Sequence, residues 1–214
     1  MVCRLLGIII NSGQRKGVQF AITGDEMIEP QKIIEILDIL EKLKCNTRHS
    51  YTSSGRLESV AEHSWRLSIM ALLMKDEFPT VDMQKVLTMC LIHDWGEAIT
   101  GDIPVFLKTK DDETTEDNAV DTLLNIFPQK SEYSKLFDEM KERKTSEAKL
   151  WKALDMLEAL IQHNEADIAT WLPLEDELQL THGLSECDEF EYTKALRSLV
   201  RETSEAKLLA RAKQ

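Results

Sequence analysis

The chain has no Cys-x-x-Cys pair. Its four cysteines, Cys3, Cys45, Cys90 and Cys187, are scattered through 214 residues. That spacing excludes a disulfide framework or a zinc knuckle as the organising device and makes a reducing cytoplasm the expected location. Positive charge is also scarce, with 26 Lys and Arg against 38 Asp and Glu and a formal net charge of -12. The balance argues against nucleic acid or an anionic membrane as partner, because both need surfaces rich in Lys and Arg. The N-terminal apolar run Leu5 to Ile10 is too short to cross a membrane, and no small-residue cleavage site follows it before Pro30. Residues 1–27 are read as a leader or extension, and 28–214 as one domain with its own C-terminal helix. A hydrophobic content of 43% is ordinary for a globular protein of this length and sufficient for a core.

Helical period dominates from Pro30 onward. Ile33, Ile34, Ile36, Leu37, Leu40 and Leu43 repeat at the spacing of one helix face, with proline suited to a first turn. Asn46 to Gly55 is polar and turn-rich and is expected to be a loop. A second helix is predicted from about Ser59 to Lys75, with Val60, His63, Leu67, Met70 and Met74 on one stripe, and Ser59 suited to cap it. A third, from about Asp82 to Ile99, places His93 and Glu97 four residues apart on one face and should stop near Gly101. In the loop that follows, to about Asp112, Lys108 and Lys110 are candidate phosphate contacts, although exposed lysines more often serve solvation. Covering helices are expected at about Thr115–Phe127 and Glu132–Lys144. A long helix follows from Ser146 to about Trp171, carrying Leu150, Leu154, Leu157 and Ile161, and a charged helix closes the chain from about Asp188 to Ala212. No strand pairing or repeat is evident, so the expected class is all-α.

Charge placed inside this apolar framework needs a partner. Taken singly, His63 fits a core histidine bonded to a carboxylate or carbonyl, and Asp155 a buried ion-pair member. Together, His63, the pair His93-Asp94 and Asp155 put two imidazoles and two carboxylates on three separate helices. Their order, H…HD…D, sits in a longer context: Glu58-Ser59-Val60-Ala61-Glu62-His63-Ser64, then His93-Asp94-x-x-Glu97-x-x-Thr100-Gly101-Asp102-Ile103-Pro104, then Lys152-Ala153-Leu154-Asp155-Met156-Leu157.

That pattern resembles the HD-domain superfamily of metal-dependent phosphohydrolases, and within it the branch of the bacterial 5′-deoxynucleotidases, over about Pro30 to Asp167. The resemblance implies a helical bundle of about six to eight helices. It implies His63, His93, Asp94 and Asp155 as ligands of one divalent ion, with Co²⁺, Mn²⁺, Fe²⁺ or Mg²⁺ suited to mixed imidazole and carboxylate donors and Zn²⁺ also compatible. It further implies Glu97 as the acid/base residue, Asp102 at the substrate, and Arg48, fifteen residues before His63, as the phosphate or sugar contact. His49 stands where the family carries a tryptophan beside that arginine, so the sugar pocket is expected to differ there. The implied activity is release of phosphate from (deoxy)nucleoside 5′-monophosphates by a homodimer. Hydrolysis of a nucleoside triphosphate or alarmone, and a non-catalytic regulatory role in binding a nucleotide or metal, are the alternatives. His163 and His182 complete no second metal motif and are read as surface or packing residues.

Overall fold

The structure, a computed structural model, describes residues 28–213; the leader expected at 1–27 lies outside the described residues. Helix α1 (Pro30–Leu40) begins with proline in its first turn, and a short turn of helix, α2 (Lys42–Cys45), follows it. Of the expected apolar face, Ile36 and Leu43 enter the core, whereas Ile33, Ile34 and Leu37 stay exposed among the described residues.

The segment expected to be a loop is instead a hairpin. Strands β1 (Thr47–Tyr51) and β2 (Leu57–Ser59) pair antiparallel, Thr47 with Ser59 and Tyr51 with Leu57. Thr52 and Arg56 close the turn, and Gly55 sits at φ 82°, a conformation glycine adopts without steric cost. The pairing leaves no period-2 apolar trace because β1 reads Thr-Arg-His-Ser-Tyr. Gln162 donates to the Tyr51 carbonyl at 2.7 Å and so ties the hairpin to the body.

Helix α3 (Val60–Leu73) starts where a capping box forms: Ser59 Oγ accepts from the Glu62 amide at 3.2 Å, and Glu62 accepts from the Ser59 amide at 2.9 Å. Helix α4 (Met83–Ile92) is capped by Asp82, which accepts from the Gln84 and Lys85 amides. The expected continuous helix through Ile99 is broken. Bonds from Trp95 to Ile92, Glu97 to Asp94 and Ala98 to Trp95 span three residues rather than four, and a separate turn, α5 (Glu97–Thr100), follows. Gly96 explains why the chain can tighten here: a Cβ on it would meet the Val120 side chain at 3.0 Å and the Glu116 carbonyl at 3.2 Å. Gly101, at φ 76°, ends α5 as expected from its place in the sequence.

Two covering helices follow, α6 (Lys110–Leu124) and α7 (Lys130–Glu142). Helix α6 starts five residues before the expected Thr115, because Thr109 and Asp112 form a second capping box. Helix α8 (Ser146–Glu165) is the central element, packed against α3, α4, α7, α11 and β1. Leu150, Leu154 and Leu157 on it are fully buried with Leu67 and Met89, each such side chain worth roughly 1.5–3 kcal/mol of transfer free energy. It ends at Glu165 rather than near Trp171. The chain then forms α9 (Glu175–Thr181), the short α10 (Leu184–Cys187) and α11 (Glu191–Arg211). Buried Arg197 of α11 donates to the carbonyls of Gln179 and His182 and thereby holds α9 over one end of α8. Among the described residues, eight helices have seven residues or more and the only sheet is the two-stranded hairpin. The expected all-α bundle is therefore present, with one small β addition, and no described helix is long and apolar enough to cross a membrane.

Candidate metal centre

Helices α3 and α8 and the turn after α4 bring the four sequence-predicted ligands together. His63 Nε2 lies 3.1 Å from Asp155 Oδ1, 3.3 Å from His93 Nε2 and 4.0 Å from Asp94 Oδ2. His93 Nε2 is 3.0 Å from Asp94 Oδ2 and 3.7 Å from Asp155 Oδ1.

The other nitrogen of each imidazole is already engaged. His93 Nδ1 is 3.0 Å from the Cys90 carbonyl, an acceptor, so the proton belongs on Nδ1 and the Nε2 lone pair is free. His63 Nδ1 makes a short hydrogen bond to Glu158, whose other oxygen accepts from Arg66 Nε at 2.6 Å. His63, His93 and Asp155 thus place one donor atom each within 4.8 Å of one another, and Asp94 Oδ2 lies beside the two imidazoles. A divalent cation satisfies such a donor set, and the residues present fit one.

The electrostatics are those of a cation site. Burial and nearby Arg48 alone would lower the His63 pKa, but hydrogen bonds to Asp155 and Glu158 raise it to about 9. Burial would raise Asp94 and Asp155; it is outweighed by the His93 imidazole at Asp94, and by Lys152 and the two imidazoles at Asp155, so both stay below the usual carboxylate range. Behind His63, burial and the charge of Glu158 push Glu58 up to about 7. Glu58, His63 and Glu158 form a fully buried group of their own.

A cavity of about 250 Å³ opens from this centre, lined at its near end by Arg48, Asp94, Glu97, Asp102 and Asp155. Arg48 places Nη1 3.4 Å from Asp94 and 3.9 Å from Asp102, and Nε 3.5 Å from Glu58. An irregular register within β1 lets adjacent residues Arg48 and His49 line the same cavity, which strict alternation along a strand would forbid. Glu97 is buried, with Oε2 lacking a hydrogen-bond partner. Burial, then the Asp94 and Asp102 charges, push its pKa up to about 10. Asp102 is also raised, chiefly by burial, with Arg48 opposing.

At the far end the cavity meets His49, Phe106, His163, Glu175 and His182. His163 does pack, stacking on Trp171 at 4.6 Å, yet both it and His182 face the cavity, which isolated histidines without a metal motif did not suggest. Glu158 and Glu175 were also missed. Glu158 had a signal, lying three residues after Asp155 on the inward face of α8. Glu175 had none, since its position depends on how α9 folds back.

Residues 40–208 match the HD-domain family. The chain belongs to that family. Among curated relatives, the HD-domain chain is 31% identical to the 5′-deoxynucleotidase hdd1 of Schizosaccharomyces pombe over 140 residues, 61% of this chain and 70% of that one. It is 27% identical to the human 5′-deoxynucleotidase HDDC2 over 141 residues, 63% of this chain and 68% of the relative. A crystal structure from Magnetospirillum magnetotacticum, described as a predicted metal-dependent phosphohydrolase, superposes with a TM-score of 0.65 at 29% identity, covering 83% of this chain and 94% of that one. The HD-domain chain is a metal-dependent phosphohydrolase, as its H…HD…D order led one to expect.

Proposed function

We propose that this HD-domain protein releases phosphate from deoxynucleoside 5′-monophosphates at a single divalent ion held by His63, His93, Asp94 and Asp155. The observation that carries the proposal is the clustering of these four donors beside a small cavity that Asp94 and Asp155 line. The names of the yeast and human relatives support the substrate class. Cavity size supports a monophosphate: about 250 Å³ lies just below the roughly 300 Å³ at which small-molecule sites begin. A second, larger cavity beside the centre is lined by more carboxylates, Glu113, Glu116, Asp117, Asp121 and Asp138 among them, than cations, and of its Lys108, Lys110, Lys141, Arg143 and Lys152, three are paired with Glu116, Asp117 and Asp155. Those carboxylates would repel the extra phosphates of a triphosphate or alarmone.

When bound, the ion supplies Lewis acidity, lowering the pKa of coordinated water and offsetting phosphoryl charge. The remaining chemistry belongs to the chain. Arg48 offers a planar fork for the phosphate and is oriented by Asp94, Asp102 and Glu58. Glu97 holds a proton on a buried, unpartnered carboxyl and can pass it to the departing 5′-oxygen, then recover it from water. Asp102 borders both Arg48 and the cavity and positions the sugar end. Mixed imidazole and carboxylate ligation favours Co²⁺, Mn²⁺ or Fe²⁺, with Mg²⁺ and Zn²⁺ as weaker candidates. A cytoplasmic homodimer completes the proposal, with light scattering as the check on its assembly.

Chelator-stripped protein, offered a panel of 5′-nucleotides crossed with a panel of divalent metals, should release inorganic phosphate from monophosphates only when metal is returned. No metal-dependent release from any nucleotide would overturn the proposal.

A further inference from the structure

The far end of the cavity contains polar groups that phosphate release does not use. Glu175 is 6% exposed and sits between two imidazoles, its Oε1 3.1 Å from His49 Nε2 and its Oε2 3.6 Å from His163 Nε2. Glu175 Oε2 also accepts from the Leu172 amide at 2.6 Å, which pins the carboxylate in place. Neither imidazole Nε2 has an aligned hydrogen-bond partner, although both atoms are shielded from solvent. A buried polar atom left unpaired costs about 1–3 kcal/mol. All three side chains line the cavity, so a ligand with hydrogen-bonding edges that reaches this end meets one anchored carboxylate between two imidazoles that lack a partner. Phe106, edge-on to His49 at 5.5 Å, adds an apolar surface for a planar ring. Burial holds His163 below the usual imidazole pKa against the pull of Glu175, so its ring is neutral and offers one donor and one acceptor nitrogen.

Resting on the nucleotide assignment above, we propose that Glu175, His49 and His163 select the base of the substrate, favouring bases with an exocyclic amino group over their oxo counterparts. A carboxylate only accepts hydrogen bonds. An amino group gives it an N–H, whereas in the same pose an oxo group turns lone pairs toward it and the ring N–H beside that oxo group faces the donating imidazole. The neighbouring imidazole can then donate to the ring nitrogen beside the amino group, as in cytosine or adenine. In guanine the amino group and the adjacent ring N–H both donate to the carboxylate. Sites built to hydrogen-bond a substrate reject the mismatched analogue far more strongly than apolar pockets reject a change of size.

The test uses the full chain loaded with the metal that best supports turnover, and compares kcat/KM for dCMP and dUMP, which differ at the 4-amino or 4-oxo group and the adjacent ring nitrogen. The unmodified protein should favour dCMP at least tenfold. Glu175→Gln places an amide N–H where the carboxylate stood, and should cut that preference at least tenfold while metal content stays at the unmodified level. Should Glu175→Gln fail to fold, His49→Asn, at a less buried position, carries the same expectation. Equal kcat/KM for the two nucleotides in the unmodified protein, or a preference that survives in the folded variant, overturns base selection alone. Turnover of no nucleotide overturns the nucleotide assignment as well.

Discussion

Replacing Glu158 with glutamine probes how the ligand centre is held without touching a ligand. Glu158 is fully buried, takes the His63 Nδ1 proton on one oxygen and the Arg66 Nε proton on the other at 2.6 Å, and shares its burial with Glu58. A glutamine has one acceptor oxygen, so it can serve His63 or Arg66 but not both, and its amide nitrogen then faces a donor. His63 loses the anion that raises its basicity and fixes its ring. Groups that support a metal-bound imidazole in this way are typically worth 10–100-fold in metal affinity, or about 1.4–2.7 kcal/mol. Competition against a fluorescent chelator should show a Kd for Mn²⁺ or Co²⁺ weakened within that range. Glu158→Ala should do more damage to the fold, about 1–3 kcal/mol, because the buried His63 Nδ1–H would lose its acceptor while Arg66 keeps only Glu165. A Glu158→Gln variant that binds metal within twofold of the unmodified protein would refute the role given to this carboxylate.

Other consequences are equally open to measurement. Glu97→Gln should lower phosphate release by about 10²–10⁴-fold with metal content retained; an active variant would remove Glu97 from the proton step. The same variant has a stability signature. Glu97 is raised from 4.5 to about 10, so its contribution to metal-free stability is full below pH 4.5 and is lost as pH rises toward 10. The Gln variant escapes that loss, and its melting temperature should gain on the unmodified protein between about pH 6 and pH 9; parallel pH curves would contradict this. Metal uptake must displace the proton that His63 holds up to about pH 9. Apparent affinity should therefore climb with pH to that point, with proton release visible by calorimetry in buffers of different ionisation enthalpy. Gly183→Ala should lower the melting temperature by at least the equivalent of about 1–2 kcal/mol, the cost of a left-handed residue with a Cβ. Its φ is 71° and a Cβ would meet Met156 at 2.9 Å; an unchanged melt would count against that packing.

The parts of this protein legible in its sequence are those that depend on helical period. The inward stripe of α3 carrying His63 and Leu67, and the apolar face of α8 carrying Leu150, Leu154 and Leu157, follow from residue spacing. The four proposed ligands followed from family resemblance, and their proximity required the fold. Three features resisted for physical reasons. The hairpin at Thr47–Ser59 is short and polar, so its strands carry no alternation, and a distant residue, Gln162, ties it to α8. The break after Ile92 depends on a close approach between Gly96 and α6, a tertiary fact that local propensity cannot contain. The base end of the cavity depends on Arg197 drawing α9 across α8, which brings Glu175 to His49 from the far side of the chain.

The central claim is that His63, His93, Asp94 and Asp155 jointly hold one divalent ion. Metal content per chain, measured by mass spectrometry on Mn²⁺-loaded and dialysed protein, tests it most directly when the unmodified chain is set beside His63→Ala, His93→Ala, Asp94→Asn and Asp155→Asn. One equivalent in the unmodified chain and loss in each folded variant is the predicted result. Equal metal content in the unmodified chain and any of the four variants would contradict it.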